Sequence, residues 1–207
     1  MSTALLVRLS APFLAFGALS FAVFIFVANG EFTGAELGLS MRHHIAHTAH
    51  FISAICFLFG VVGFYADQHA ASGVLGLVAF VVALTGTALF CATGVITAFV
   101  WRTISANAPQ LVEAHGAFFE PPLPIIFVAS VTFSVGIAML GVTALRTKTL
   151  PRNAAYLLIA GAVLVLAPPP PWGPVPYAVI DAGAALLAGG AVWIAIALWG
   201  RPTAVAR

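Results

Sequence analysis

Ten residues of this chain, Met41-Arg42-His43-His44-Ile45-Ala46-His47-Thr48-Ala49-His50, hold four of its six histidines. On a helix His43, His47 and His50 fall at i, i+4 and i+7 and share one stripe. His44 lies about 100° from His43 and about 60° from His47 at 3.6 residues per turn. Imidazoles spaced this way can converge on a transition metal such as Cu, Zn or Fe; an axial ligand to haem b ranks below that. The same residues also suit the interfacial turn of a helix entering a membrane, where amphipathic rings are tolerated. That second reading weakens at His47 and His50. They lie inside an apolar run, where a polar side chain normally has a partner.

Two further elements carry ligand-type chemistry. From Asn107 to Pro122, Asn107 suits an N-cap, Gln110 a capping box and Pro109 a first helical turn, and Pro121-Pro122 stop the helix. This predicts a short amphipathic helix at the outer membrane face. Leu111, His115 and Phe118 share its apolar stripe, and Glu113 and Glu120 the opposite one. His115 is then a ligand or a ring bonded to a neighbouring carbonyl. Asp181 lies within an apolar run, where a carboxylate costs about 2.5–3.5 kcal/mol on insertion scales. It either pairs or functions there, or it snorkels to the surface. The candidate metal ligands are therefore His43, His47, His50, Glu113, His115 and Asp181.

What must position them is a membrane bundle. Of 207 residues 62% are hydrophobic and 7% charged, with a mean hydropathy of +1.10. A soluble domain carries roughly 25% charged residues, so fourteen charges cannot hydrate this surface. A soluble enzyme, a disordered chain and a disulfide scaffold are excluded. A net charge of +2 without a basic run gives no case for nucleic acid. A bilayer core about 30 Å thick needs roughly 20 apolar residues in a helix. Ala11–Ala28, Ile45–Ala66, Gly73–Trp101, Leu123–Leu145, Asn153–Ala167 and Val175–Trp199 meet or approach that length. The fifth is the shortest and runs into Pro168–Pro171, so five spans is the alternative to six. The first is read as a retained span rather than a cleaved signal. The fold class is an all-α, polytopic transmembrane helix bundle, one domain over residues 1–207 with no visible repeat.

Sidedness follows from Lys and Arg. With six spans, Arg8, Arg146, Lys148, Arg152, Arg201 and Arg207 fall on one side, and Arg42 and Arg102 on the other. Both termini are expected in the cytoplasm, the chain being multi-pass in the inner (plasma) membrane. The outer side then holds every histidine but His69 and every carboxylate but Asp67. Gly60, Gly63, Gly86, Gly94, Gly183, Gly189 and Gly190 are candidates for close helix approach. Cys56 and Cys91 are expected as inert buried thiols.

From Met41 onward the chain resembles a group of uncharacterised six-span bacterial integral membrane proteins. The likeness rests on His47-Thr48-Ala49-His50 through Gly63-Phe64-Tyr65-Ala66, Leu75-Gly76, Thr85-Gly86-Thr87-Ala88-Leu89, and Leu145-Arg146 through Thr149-Leu150-Pro151-Arg152. It implies six spans and no established activity. His43-His44 and Glu113-Ala114-His115 fall outside it.

No Gly-x-Ser-x-Gly, His-Glu-x-x-His, Cys-x-x-Cys or phosphate loop is present, so no reaction is assigned. The favoured function is an outer-face metal-binding protein within a larger membrane complex, with other subunits or further copies of itself as partners besides lipid. A non-enzymatic scaffold or accessory subunit without a cofactor is the alternative, followed by a small channel or transporter.

Overall fold

The computed structural model describes residues 2–28, 35–113, 124–167 and 175–201, and among these all regular structure is helical. The helices are α1 (Thr3–Ala28), α2 (Ala35–Leu39), α3 (Met41–Val95), α4 (Trp101–Asn107), α5 (Pro124–Thr147), α6 (Arg152–Leu164) and α7 (Tyr177–Trp199). A π-helical turn, Ile96–Val100, joins α3 to α4, and a 3₁₀ turn, Pro109–Leu111, follows α4.

Ser40 starts α3. Its backbone is extended and its hydroxyl accepts the His43 amide at 3.1 Å, satisfying one of the first-turn donors that a helix leaves open. Gly73 divides α3 into two helical legs. Its φ of 55° and ψ of −147° form a conformation that glycine adopts readily and L side chains do not. Residues 41–72 and 74–95 therefore run antiparallel. Phe80 stacks on Tyr65 at 4.5 Å near the bend, and Phe99 meets Phe51 at 5.4 Å further up.

Four helical stretches are long and apolar enough to cross a membrane: Thr3–Ala28, Met41–Asn107, Ile125–Thr147 and Tyr177–Trp199. Because the second doubles back at Gly73, these make five crossings. The 13 residues of α6 span about 20 Å at 1.5 Å per residue, short of a bilayer core. The division between five and six spans thus falls on the segment where the sequence placed it. The outward faces are apolar, with Phe16, Phe59, Phe127 and Ile196 all exposed. Such a surface belongs in lipid, and the chain is a multi-pass helical membrane protein.

Packing follows small residues. Gly17, Gly60 and Gly63 set α1 against residues 53–63 of α3, and Gly86 and Gly136 interlock α3 with α5. Gly161, Gly183 and Gly190 do the same between α6 and α7, and Gly94 sits against the Phe51 backbone. Gly189 departs from expectation, since a β-carbon there would meet nothing within 4 Å. Cys56 and Cys91 are both free thiols.

The polar ends of the bundle differ. At the Gly73 end Arg201 pairs with Asp67 (2.8 Å) and donates to the Thr149 carbonyl at 2.6 Å, while the Arg8 guanidinium lies 4.8 Å from the Trp199 ring centre. At the other end Arg42 donates to the Val27 carbonyl at 2.7 Å. Asn107 closes α4 there instead of capping a new helix; its side-chain amide donates back to the Thr103 carbonyl at 2.8 Å. The amphipathic helix expected after it is a single 3₁₀ turn as far as Leu111, and residues 114–123 lie outside the described residues. The short helix at this end that the sequence reading did not foresee is α2.

Candidate functional site

The capped start of α3 puts His43 in the first turn and aims it, with His47 and His50, into the bundle. All three are buried, at 5%, 9% and 4% exposure, as one stripe of a helix requires. His44 is turned aside and is half-buried. The ring centres of His43 and His47 are 4.1 Å apart, and those of His47 and His50 6.0 Å.

Aromatic rings wall the stripe. Trp101 lies 5.3 Å from His43, Phe24 of α1 is 5.4 Å from His47 and stacks on His50 at 4.5 Å, and Phe90 is 3.9 Å from His50. Phe90 continues by stacking on Phe133 of α5 at 4.8 Å. One column of rings thus leads from the α2–α4 end into the centre of the bundle.

The π-helical turn stands opposite the first histidine. Such turns are rare and concentrate at functional sites. Here His43 Nε2 lies 3.3 Å from the Thr97 carbonyl. A carbonyl only accepts, so Nε2 carries the proton and the lone pair of the neutral ring is on Nδ1. Histidines that bind metals are commonly oriented by a carbonyl in this way. Thr97 and Thr93 turn their hydroxyls onto α3 carbonyls, Thr97 Oγ1 onto Thr93 at 2.9 Å and Thr93 Oγ1 onto Phe90 at 2.9 Å.

Deeper in, partners run out. Nδ1 of His47, both ring nitrogens of His50 and Oγ of Ser53 are buried with no hydrogen-bond partner among the described residues. The nearest acceptor to His50 is the Phe90 carbonyl, which already takes the Thr93 hydroxyl at 2.9 Å and keeps a second lone pair. A buried polar group left unpaired costs about 1–3 kcal/mol. Below Ser53 the stripe becomes Phe57, Val61 and Phe64, all fully buried, before Gln68.

Two of the other expected ligands, Glu113 and Asp181, lie apart from the stripe. Glu113 is exposed, and its Oε1 accepts the Ala35 amide at 3.2 Å, tying the end of the 3₁₀ turn to the start of α2. Asp181 is half-buried on α7, whose main neighbours are α6 and α1 rather than the hairpin that carries the histidines. His115 lies outside the described residues. Among the described residues no three His, Cys, Asp or Glu side chains surround one point as a metal site would. The sequence reading missed Phe24, Phe90, Trp101 and the Thr97 carbonyl. Phe24 shares a buried face of α1 with Phe21 and Ala28, a pattern indistinguishable from ordinary core. A π-helical turn leaves no mark on apolar spacing.

Comparison with protein-family models, with curated proteins and with solved structures gave no match to this chain.

Proposed function

We propose that this membrane protein binds a transition-metal ion in the histidine column of α3. The observation that carries the reading is the pair His47 and His50, buried in an aromatic, apolar interior with ring nitrogens that have no hydrogen-bond partner among the described residues. Neutral imidazole nitrogen is a good ligand for Cu, Zn and Fe, and an ion would satisfy what the surrounding side chains do not. His43, oriented by the Thr97 carbonyl, flanks the pair on the side towards the bundle end. An ion suits the column better than haem, because Phe24 and Phe90 pack directly on the histidine rings. A conducting path is disfavoured by the Phe57, Val61 and Phe64 layers beneath Ser53.

The His43 end of the column points to the outer face in this reading. Arg8, Arg146, Lys148, Arg152 and Arg201 gather at the Gly73 end, and the positive-inside rule makes that end cytoplasmic.

Equilibrium binding of Cu, Zn, Fe(II) and Ni(II) to the purified full chain in detergent, followed by desalting and elemental analysis, tests the proposal. One ion per chain, lost in His47→Leu and His50→Leu but kept in His69→Leu, is the expected result. Retention of no ion by the unsubstituted protein overturns it.

A further inference from the structure

Resting on the metal reading above, the geometry points to a monovalent, two-coordinate ion: we infer that His47 and His50 hold Cu(I), in preference to Zn(II) or another divalent cation. Three independent observations carry this.

The first is the number of donors. Zn(II) in proteins is almost always four-coordinate and keeps at least three protein ligands. Here a third histidine, a thiol or a carboxylate joining the His47–His50 pair would make a group of three, and the described residues contain none. Cu(I), a closed-shell soft ion, is satisfied by two donors in line.

Distance is the second. Two imidazoles bound to one ion at about 2 Å per metal–nitrogen bond have ring centres roughly 5 Å apart at a tetrahedral angle and roughly 6 Å apart when the bonds are in line. The His47–His50 separation is 6.0 Å. The His43–His47 separation of 4.1 Å is that of two rings in direct contact, so His43 is a positioning residue packed on His47.

Charge is the third. Both ligands are neutral, and the walls are Phe24 and Phe90. Each described carboxylate stands elsewhere: Asp67 on Arg201, Glu113 on the Ala35 amide, Glu36 exposed on α2, and Asp181 on α7. Among the described residues no carboxylate adjoins the pair to compensate the ion's charge. The cost of moving an ion into a medium of low dielectric rises with the square of its charge, so a divalent ion is penalised about fourfold more than a monovalent one. The ring faces of Phe24 and Phe90 offer a single positive charge some electrostatic compensation.

The test is anaerobic competition on the full chain in detergent, with a colorimetric Cu(I) chelator in one arm and a Zn(II) indicator in the other. The expected result is one Cu(I) per chain, held at least a thousandfold more tightly than Zn(II). His50→Leu abolishes Cu(I) binding, and His43→Gln weakens it about tenfold or less. Zn(II) held as tightly as Cu(I) overturns this inference and leaves the metal site standing. Failure of both ions to bind overturns the site as well. The comparison of the two ions on the unsubstituted protein decides the matter even if His50→Leu does not fold.

Discussion

His43 Nε2 and the carbonyl of Thr97 meet at 3.3 Å across the hairpin that Gly73 makes, where the backbone after α3 widens into a π-helical turn. The contact fixes the tautomer of His43 and ties the mouth of the histidine column to the opposite leg. His43→Leu removes the donor and leaves the carbonyl buried. It is expected to lower stability by about 1–3 kcal/mol, read as a drop in the unfolding midpoint in mixed detergent micelles. An unchanged midpoint would show that the two legs are not joined there.

The Gly73 bend is set by backbone conformation, because a β-carbon there meets nothing within 4 Å. Gly73→Val is expected to cost about 1–3 kcal/mol from strain alone. Gly86→Leu, which drives a side chain into the Phe133 backbone, should cost at least as much by separating α3 from α5. Thermal melts followed by circular dichroism measure both.

Asp67 and Arg201 join the hairpin to the end of α7. Arg201 is 36% exposed and Asp67 8%, so the pair is partly screened and closer to a surface ion pair than to a buried one. A double-mutant cycle of Asp67→Asn and Arg201→Gln is expected to give a coupling of about 0.2–1 kcal/mol. A coupling of zero would remove this link from the account of how the basic end is held.

Sidedness is open to labelling. Ala71 beside the bend and Gln110 in the 3₁₀ turn are both exposed. In intact cells, Gln110→Cys should react with a membrane-impermeant maleimide and Ala71→Cys only after permeabilisation, with the parent chain as background. The reverse pattern would place the histidine column on the cytoplasmic side.

Much of this architecture is legible in the sequence, because lipid leaves few ways to build a chain with so few charges. Span positions follow from apolar length, and the buried stripe from the i, i+4, i+7 spacing of His43, His47 and His50. The bend at Gly73 is the structure's addition, since the sequence marks that residue only as the start of an apolar stretch. What spacing could not supply is which side chains from other helices meet that stripe. Glu113 shares one end of the bundle with the histidines, yet it serves the first amide of α2, a five-residue helix with no clear apolar period. Asn107 has the right chemistry for an N-cap, but α4 runs on through the π-helical turn and reaches it as a C-terminal residue. Membership of a six-span family remains a resemblance carried by packing and turn residues. Those residues set the shape of the bundle and say nothing of what the histidines hold.

The most direct test of the central claim is X-ray absorption at the copper edge on the anaerobically loaded full chain. Two nitrogen ligands with the outer-shell scattering of imidazole are expected, lost together with bound copper in His47→Leu. Copper surrounded by sulfur, or by solvent oxygen without imidazole scattering, would contradict it.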